Sequence, residues 1–340
     1  MSFDSQPWTE PGPHEVAPGV HRIPLPMPND GLRAVNVYAI EDGDGVVLID
    51  AGWEVDDARE QLRAALDALG YGLADIRRFL VTHMHRDHYT LAVALRRVNG
   101  TPIALGAGER PSLEEIIHGS DDRQIGELRR WGADGRIAIE EIGIEPERGR
   151  TIYELPDEWL TGVSDIELTK RTLRAVPTPG HTHGHMVFID EQASLLFAGD
   201  HVLPHITPSI GFEPAQARLP LGDYLASLRL MLSHPDMLLL PAHGPVVDSA
   251  HARVRELLDH HDERLEVTWE TVRDGATTAF ESAAMLGWTR RHRDFADLNA
   301  FNQFLAVGET SAHLDVLAEQ RRLAVSVRDG VARYGLADAA

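Results

Sequence analysis

The chain of 340 residues carries 53 acidic against 32 basic residues, a formal net charge of −21, and 43% of its residues are hydrophobic. This acidic balance disfavours non-specific binding to nucleic acid or to anionic membrane, because both need a basic surface. The absence of cysteine excludes disulfides, thiolate metal sites and cysteine nucleophiles, and with no apolar run long enough for a leader or a membrane span we expect a cytoplasmic protein.

Strands and helices alternate over the first part of the chain. After a loose segment over residues 1–18, the stretches "GVHRIPLP", "AVNVYAI" and "GDGVVLID" predict strands, the last of them ending at Asp50. A helix is predicted over 56–69, closed by Gly70, and "IRRFLVTH" predicts a strand followed by a helix near 90–98. This order predicts an α/β catalytic domain over residues 19–247.

Residues 107–165 interrupt that alternation. The stretch is charged, and "PSLEEII" and "DRQIGELRRW" predict helices within it. It is either an insertion that covers a site or an excursion over the surface, and the sequence leaves both open. Strands return at "IELTKRTLRAVPTPG", "MVFID" and "ASLLFAGD", followed by a helix near 221–233 and the strand "MLLLPAHG".

Residues 248–340 predict a mainly helical extension. Apolar residues at three- and four-residue steps predict a helix over 249–272, and Thr278 with Glu281 forms a capping box. "SAHLDVLAEQRR" predicts another helix, and a hairpin turns at Asp329-Gly330. Helices followed by a hairpin suggest a winged-helix-like shape, but 11 arginines face 15 acidic residues over 251–340. We therefore expect packing or homodimerisation rather than nucleic-acid binding.

Seven side chains that can bind metal follow the predicted strands. "HMHRDH" supplies His83, His85, Asp87 and His88, and His181, Asp200 and His243 each come after a further strand. Open α/β sheets place their sites at such strand ends. Seven ligands exceed the need of one tetrahedral metal and suffice for two that share a carboxylate. Imidazole and carboxylate suit zinc, and also iron or manganese.

The segments "HMHRDH", "PGHTHGH", "FAGDH" and "PAHGP" together resemble the signature of the metallo-β-lactamase superfamily, over roughly residues 19–245. The resemblance implies a four-layered αβ/βα sandwich with two divalent metal ions, zinc being expected, at one edge. It implies that His83, His85 and His181 hold the first metal, that Asp87, His88 and His243 hold the second, and that Asp200 bridges them.

Several further side chains near these motifs have open roles. In "PGHTHGH", His183 falls at a variable position, and we expect His185 to support the loop rather than to bind metal. Asp50 either orients a ligand or simply ends its strand. His201 and His205 are candidates for contact with the substrate, or plain loop residues. Arg290, Arg291 and Arg293 could meet a phosphate, although a solvated surface is the expected role.

The resemblance implies hydrolysis of a small-molecule substrate. A metal-bridging hydroxide would attack a thioester or an ester, including a lactone, of a small carboxylic acid, with Asp87 orienting the attacking water. The form "TPGHTHGH" with "AGD" is similar to the glyoxalase II and lactonase-like branch, whereas the C-terminal extension resembles a branch that contains an endoribonuclease. The alternatives are therefore a phosphodiesterase or ribonuclease, or a mononuclear iron persulfide dioxygenase that uses His83, His181 and Asp200. The complete ligand set disfavours a non-catalytic scaffold.

Overall fold

Two β-sheets pack face to face in the computed structural model, which describes residues 7–28, 31–119, 123–138, 150–288 and 293–337. The first sheet has the spatial order β1 (His14–Ala17), β2 (Val20–Pro26), β3 (Ala34–Asp42), β4 (Gly45–Ile49), β5 (Ile76–Leu80), β6 (Ile103–Gly106), β7 (Glu158–Leu160). Neighbouring strands are antiparallel from β1 to β4 and parallel from β4 to β7. The parallel half brings the carboxyl ends of its strands to one edge.

The second sheet has the order β12 (Leu238–Pro241), β11 (Leu195–Gly199), β10 (Met186–Asp190), β9 (Thr172–Pro177), β8 (Ser164–Glu167). Only β11 and β12 run parallel among these pairs. Fully buried side chains of both sheets fill the space between them, and the rings of Tyr38 and Phe197 meet edge to face at 5.4 Å. Strands buried on both faces explain the continuous apolar runs in the sequence.

Helices cover the two outer faces. On the first sheet, α1 (Asp56–Ala68) and α2 (Arg86–Asn99) bury residues such as Leu62 and Leu91. On the second sheet lie α5 (Pro220–Met231) and α6 (Ala250–Arg273), while α3 (Arg110–His118) and α4 (Arg123–Arg130) follow β6. The predicted four-layered sandwich is confirmed.

The C-terminal region consists of α6, α7 (Ala279–Met285), α8 (Ala300–Glu319) and a hairpin of β13 (Leu323–Arg328) and β14 (Val331–Leu336). The predicted helical extension is therefore present. The capping box is confirmed, because Thr278 Oγ1 accepts from the Glu281 amide while the Glu281 carboxylate accepts from the Thr278 amide. The hairpin turn also forms as predicted, with φ values of 53° at Asp329 and 80° at Gly330. The region shares one apolar core with the second sheet.

Four elements differ from the prediction, and the first is β1, which pairs with β2 although the sequence predicts a loose segment over residues 1–18. Helix α2 begins at Arg86, so Asp87 and His88 lie in its first turn rather than on a turn before it. Helix α8 begins at Ala300, well before the predicted start. Its first half could not be recognised, because the helix is buried on most sides and therefore has no polar stripe. Strand β7 lies inside the stretch interpreted as an insertion; its three residues are too few to show alternation.

Some predicted features lie outside the described residues: 1–6 of the N-terminal segment, 120–122 and 139–149 of the 107–165 stretch, and Arg290 and Arg291. Arg293 is described, as an exposed residue that pairs through its backbone with Trp288. Within the described ranges, no helix combines the length and the apolar character needed to cross a membrane.

Candidate metal centre

All seven predicted ligands lie at one edge of the sandwich. His83 and His85 follow β5, Asp87 and His88 occupy the first turn of α2, and His181, Asp200 and His243 follow β9, β11 and β12. Because these strand ends meet where the two sheets face each other, residues more than a hundred positions apart come together. The ligand atoms form two groups, His83, His85, His181 with Asp200, and Asp87, His88 with His243.

The first group is compact. Nδ1 of His85 lies 2.9 Å from Nε2 of His83 and 3.0 Å from Nε2 of His181. Oδ2 of Asp200 lies 3.5 Å from Nε2 of His181. Three imidazoles and one carboxylate oxygen therefore converge on one point.

The second group faces the other oxygen of the same carboxylate. Oδ1 of Asp200 lies 3.6 Å from Nε2 of His88 and 3.4 Å from Nε2 of His243. Oδ2 of Asp87 lies 3.5 Å and 3.3 Å from the same two nitrogens. Asp200 thus stands between the groups with one oxygen directed at each.

The chemistry of these atoms fits metal binding. His88 Nε2, His243 Nε2 and Asp200 Oδ1 are buried and have no hydrogen-bond partner among the described residues. Leaving buried polar atoms without a partner is costly, so such atoms call for an unseen ligand. Ligands about 2.0–2.2 Å from a tetrahedral zinc lie about 3.3–3.6 Å from each other. The separations of the second group, 3.3–3.6 Å, match that range, and those between the imidazoles of the first group, 2.9 Å and 3.0 Å, are shorter. Each group could hold a metal ion.

Each ring directs one nitrogen at the centre and uses the other in a hydrogen bond. His88 Nδ1 donates to Asp50 Oδ2 at 2.8 Å, His181 Nδ1 to the Ser209 carbonyl at 2.7 Å, and His243 Nδ1 to the Ala34 carbonyl at 2.8 Å. His83 Nδ1 lies 3.1 Å from Thr82 Oγ1, and His85 Nε2 lies 3.4 Å from the Phe212 carbonyl. Such partners fix the tautomer and the orientation of a ligating imidazole.

The protonation states of His83, His85 and Asp87 suit cation binding. Burial lowers the pKa of His83 well below its usual value and that of His85 to about 3, so both rings are neutral and keep a lone pair. Burial alone would raise the pKa of Asp87, but the neighbouring His88 and His243 outweigh it and hold that pKa well below normal. Burial opposes a rise in the pKa of His88, but the carboxylates of Asp87, Asp50 and Asp200 outweigh it and hold that pKa well above normal. A cation bound by His88 would therefore displace a proton from this ring.

Asp50 combines both roles left open for it. It ends β4 and, at the same time, accepts hydrogen bonds from the Thr82 amide at 2.8 Å and from His88. His185 has the contacts of a supporting residue: its Nδ1 lies 2.9 Å from Thr178 Oγ1, and its Nε2 accepts from the Asp200 amide at 3.2 Å. His183 is exposed to solvent.

The two histidines expected to contact substrate differ. His201 is fully buried between His185 and Tyr224, with ring centroids 6.0 Å and 5.4 Å away. It has no exposed surface for a substrate because α5 covers it, which contradicts the expected contact. His205 is exposed and lies beside Gly244, next to the ligand His243.

Sequence reasoning missed the residues that hold the ligand loops from the opposite sheet. Asn36, fully buried in β3, donates from Nδ2 to the carbonyls of Pro241 at 3.0 Å and Gly244 at 2.8 Å, on either side of His243. Its only signal is a polar residue inside the apolar run "AVNVYAI". Glu109, which follows β6, and Glu213, which precedes α5, carry no comparable signal in the sequence.

Comparison with known proteins finds similarity at the level of sequence. Residues 30–243 match the family described as the metallo-beta-lactamase superfamily. The probable metallo-hydrolase YqjP of Bacillus subtilis (strain 168) is 24% identical over 321 residues, which cover 89% of this chain and 92% of YqjP. An atrochrysone carboxyl ACP thioesterase of Aspergillus terreus is 26% identical over 233 residues, which cover 68% of this chain and 56% of that protein.

Similarity extends to solved structures of nearly the same length. A metallo-beta-lactamase family protein of Thermus thermophilus has a TM-score of 0.78 at 25% identity, covering 95% of this chain and 100% of its own. A beta-lactamase domain protein of Burkholderia ambifaria has a TM-score of 0.73 at 26% identity, covering 96% and 95%. Coverage this high includes the C-terminal helices as well as the sandwich.

Proposed function

Since the chain belongs to the metallo-beta-lactamase superfamily and is a metal-dependent hydrolase, we propose that it hydrolyses a thioester or an ester, including a lactone, of a small carboxylic acid. In this proposal it binds two divalent metal ions, zinc being expected. The observation that carries the proposal is the division of seven converging ligands into two groups with Asp200 between them.

The residues of the centre have distinct roles in this reaction. Two bound cations would supply a hydroxide nucleophile at neutral pH and stabilise negative charge on the substrate carbonyl oxygen. Asp87 is ionised, because its pKa is lowered, and can accept a hydrogen bond from the attacking water and so orient it. Asp50, Thr82 and the Ala34 carbonyl hold the imidazoles in place. His205, exposed beside Gly244, is the remaining candidate for a substrate contact.

The choice of a thioester or ester over other substrates has three supports. The fungal relative named as an acyl carrier protein thioesterase points to thioester chemistry, although this chain spans only 56% of it. A net charge of −21 disfavours a ribonuclease, because its polyanionic substrate would be repelled. A mononuclear iron dioxygenase would need only one group of ligands, so the complete second group counts against it.

A hydrolysis panel on protein of measured metal content tests the proposal. Purified protein is offered an acyl-CoA, an acyl-glutathione, a lactone, a phosphodiester and a β-lactam. We expect two metal ions per chain and hydrolysis of the thioester, the lactone or both. Cleavage of the phosphodiester with no reaction of thioesters and esters would overturn the proposal. One iron per chain with oxygen consumption on a persulfide would do the same.

Single substitutions test the ligand assignment. We expect His83→Ala and Asp200→Ala each to lower activity by more than about 100-fold, since the loss of a ligand exceeds the 10–100-fold cost of losing its outer partner. His183→Ala is the matched control, because this imidazole lies in the same loop as His181 but is exposed. It should retain activity within about twofold, as surface substitutions usually do. Full activity of either ligand variant would contradict the assignment.

A further inference from the structure

A buried carboxyl lies between the two loops that carry the three histidines of the first group. Glu109 ends the short 3-10 turn Ala107–Glu109 after β6 and is fully buried. Its Oε1 accepts a hydrogen bond from Thr182 Oγ1, and the backbone amide of Met84 lies close enough to the same carboxyl to lower its pKa. Thr182 follows His181, and Met84 lies between His83 and His85. One side chain therefore contacts both loops without touching a ligand itself.

Close backbone packing places Glu109 there. A Cβ added to Gly184 would lie 2.1 Å from the Glu109 nitrogen, and one added to Gly108 would lie 2.7 Å from the His183 carbonyl oxygen. Both approaches are possible only for glycine. The loop of His181 thus lies directly on the turn that ends at Glu109, and the position of that loop depends on this turn.

A second carboxylate supports the same loop from its other side. Glu213 Oε2 accepts from the His183 amide at 2.9 Å and from Ser112 Oγ at 3.4 Å. Its neighbour Phe212 has its carbonyl oxygen 3.4 Å from His85 Nε2. The segment that follows His181 is therefore held between two carboxyl groups.

Glu109 carries a polar atom that the fold does not satisfy. Its Oε2 is buried and has no hydrogen-bond partner among the described residues. Burial, with a smaller contribution from Glu213, raises the pKa of Glu109 to about 8, so at neutral pH the group is mainly a carboxylic acid. A glutamine has the same shape and the same acceptor oxygen. Burying a polar side chain is costly, and the hydrogen bond that Oε1 accepts from the loop of His181 offsets part of that cost.

We propose that Glu109 is a positioning residue that holds the loop of His181 against the loop of His83 and His85, and thereby sets the affinity of the first group for its metal ion. The inference rests on the proposed two-metal function. It predicts a selective effect, because the ligands of the second group come from α2 and from the loop after β12, which none of the described contacts of Glu109 reaches.

Zinc titration of the metal-free full chain against a chromophoric chelator measures each group separately. In a His243→Ala background only the first group is complete, and in a His83→Ala background only the second. We expect Glu109→Ala to weaken zinc binding by the first group about 10–100-fold, the range for losing an outer partner of a ligand. Glu109→Gln should stay within about threefold, because its amide oxygen can still accept the hydrogen bond from Thr182 Oγ1. The second group should be unchanged by either variant.

Two further variants separate positioning from general destabilisation. Glu281→Ala removes the capping box of α7, far from the metal centre, and should lower the melting temperature without changing either affinity. Thr182→Val removes the hydroxyl donor at nearly constant volume, and should weaken the first group even if Glu109→Ala fails to fold.

Each outcome of the zinc titrations either supports or overturns the role of Glu109. Selective weakening of the first group, rescued by Glu109→Gln, supports the inference. The inference is overturned if Glu109→Ala leaves the zinc affinity of the first group unchanged, or if Thr182→Val does so when the alanine variant does not fold. Equal weakening of zinc binding by both groups also overturns it. A wild-type chain that binds two zinc ions but hydrolyses no thioester or ester would instead overturn the proposed substrate class and leave the inference about Glu109 standing.

Discussion

Asp50 connects the backbone at the end of a strand to the orientation of a metal ligand. The residue has φ = 61°, in the left-handed region that side chains with a Cβ seldom adopt. Its carboxylate accepts hydrogen bonds from the Thr82 amide and hydroxyl on one side and from His88 Nδ1 on the other. Backbone strain of this kind persists where surrounding hydrogen bonds hold it. A carboxylate suits the position because every one of these partners donates.

Asp50→Asn should separate the shape of this residue from its charge. Asparagine tolerates the left-handed conformation, but its amide NH2 must face either Thr82 or His88, each of which donates. We expect activity to fall about 10–100-fold with loss of metal from the second group, measured as kcat/KM together with zinc content. Asp190→Asn is the control: Asp190 is equally buried and pairs with Arg171 at 2.8 Å, away from the centre. Equal losses of activity in the two variants would contradict the role of Asp50.

Helix α8 illustrates how an element distant in sequence supports the metal centre. Phe212, whose carbonyl lies beside His85, packs against Phe301 and Phe304 of α8 with ring centroids 5.7 Å and 6.2 Å away. Trp131, just after α4, packs on Phe304 from the other side at 5.1 Å. The C-terminal helices and part of the 107–165 stretch therefore back the loop between Asp200 and α5, and neither is a separate appendage.

Phe301→Ala should loosen that loop. Removing the ring leaves Phe212 with only one of its two ring contacts in α8. Because small displacements near a reacting centre are costly, we expect kcat/KM to fall about tenfold. Phe280→Ala is the matched control, because Phe280 packs on Phe295 at 5.5 Å within the C-terminal region. It should lower the melting temperature with little effect on kcat/KM. Similar kinetic losses in both variants would show that α8 acts only through stability.

At the scale of the whole molecule, sequence reasoning succeeded where chemistry follows a local pattern. The seven candidate ligands could be predicted because their motifs follow apolar strands. The alternation of those strands with helices predicts an α/β domain, and the resemblance of the motifs implies the four-layered sandwich. Asp50 and His185 could be proposed as supports because they lie in or beside the motifs. Asn36 and Glu109 could not, since their contacts join distant segments: Asn36 donates to the carbonyls of Pro241 and Gly244, and Glu109 accepts from Thr182. The predicted length of helix α8 was too short, because a helix that is buried on most sides shows no amphipathic period in its sequence.

Buried histidines away from the metal centre also set how the molecule responds to acid. His261 of α6 and His313 of α8 stack with centroids 5.4 Å apart, and their Nδ1 and Nε2 atoms lie 3.2 Å apart. His313 Nδ1 donates to the Glu309 carbonyl at 2.8 Å. Burial, and then the nearby Arg264 and His260, lower the pKa of His261 to about 2 and that of His313 to about 3. Both rings stay neutral in the folded state.

The free energy of unfolding should therefore fall as the pH drops below about 6.5, where both imidazoles take up protons in the unfolded chain but not in the folded one. Each contributes up to about 1.4 kcal/mol per pH unit, until the folded-state pKa is reached. Denaturant unfolding of the metal-free protein between pH 7.5 and 5 measures this slope, which the double variant His261→Gln, His313→Gln should make shallower. His118→Gln is the control, since His118 is exposed and should leave the slope unchanged. Equal slopes in the wild type and the double variant would show that this pair stays unprotonated in both states or titrates in both.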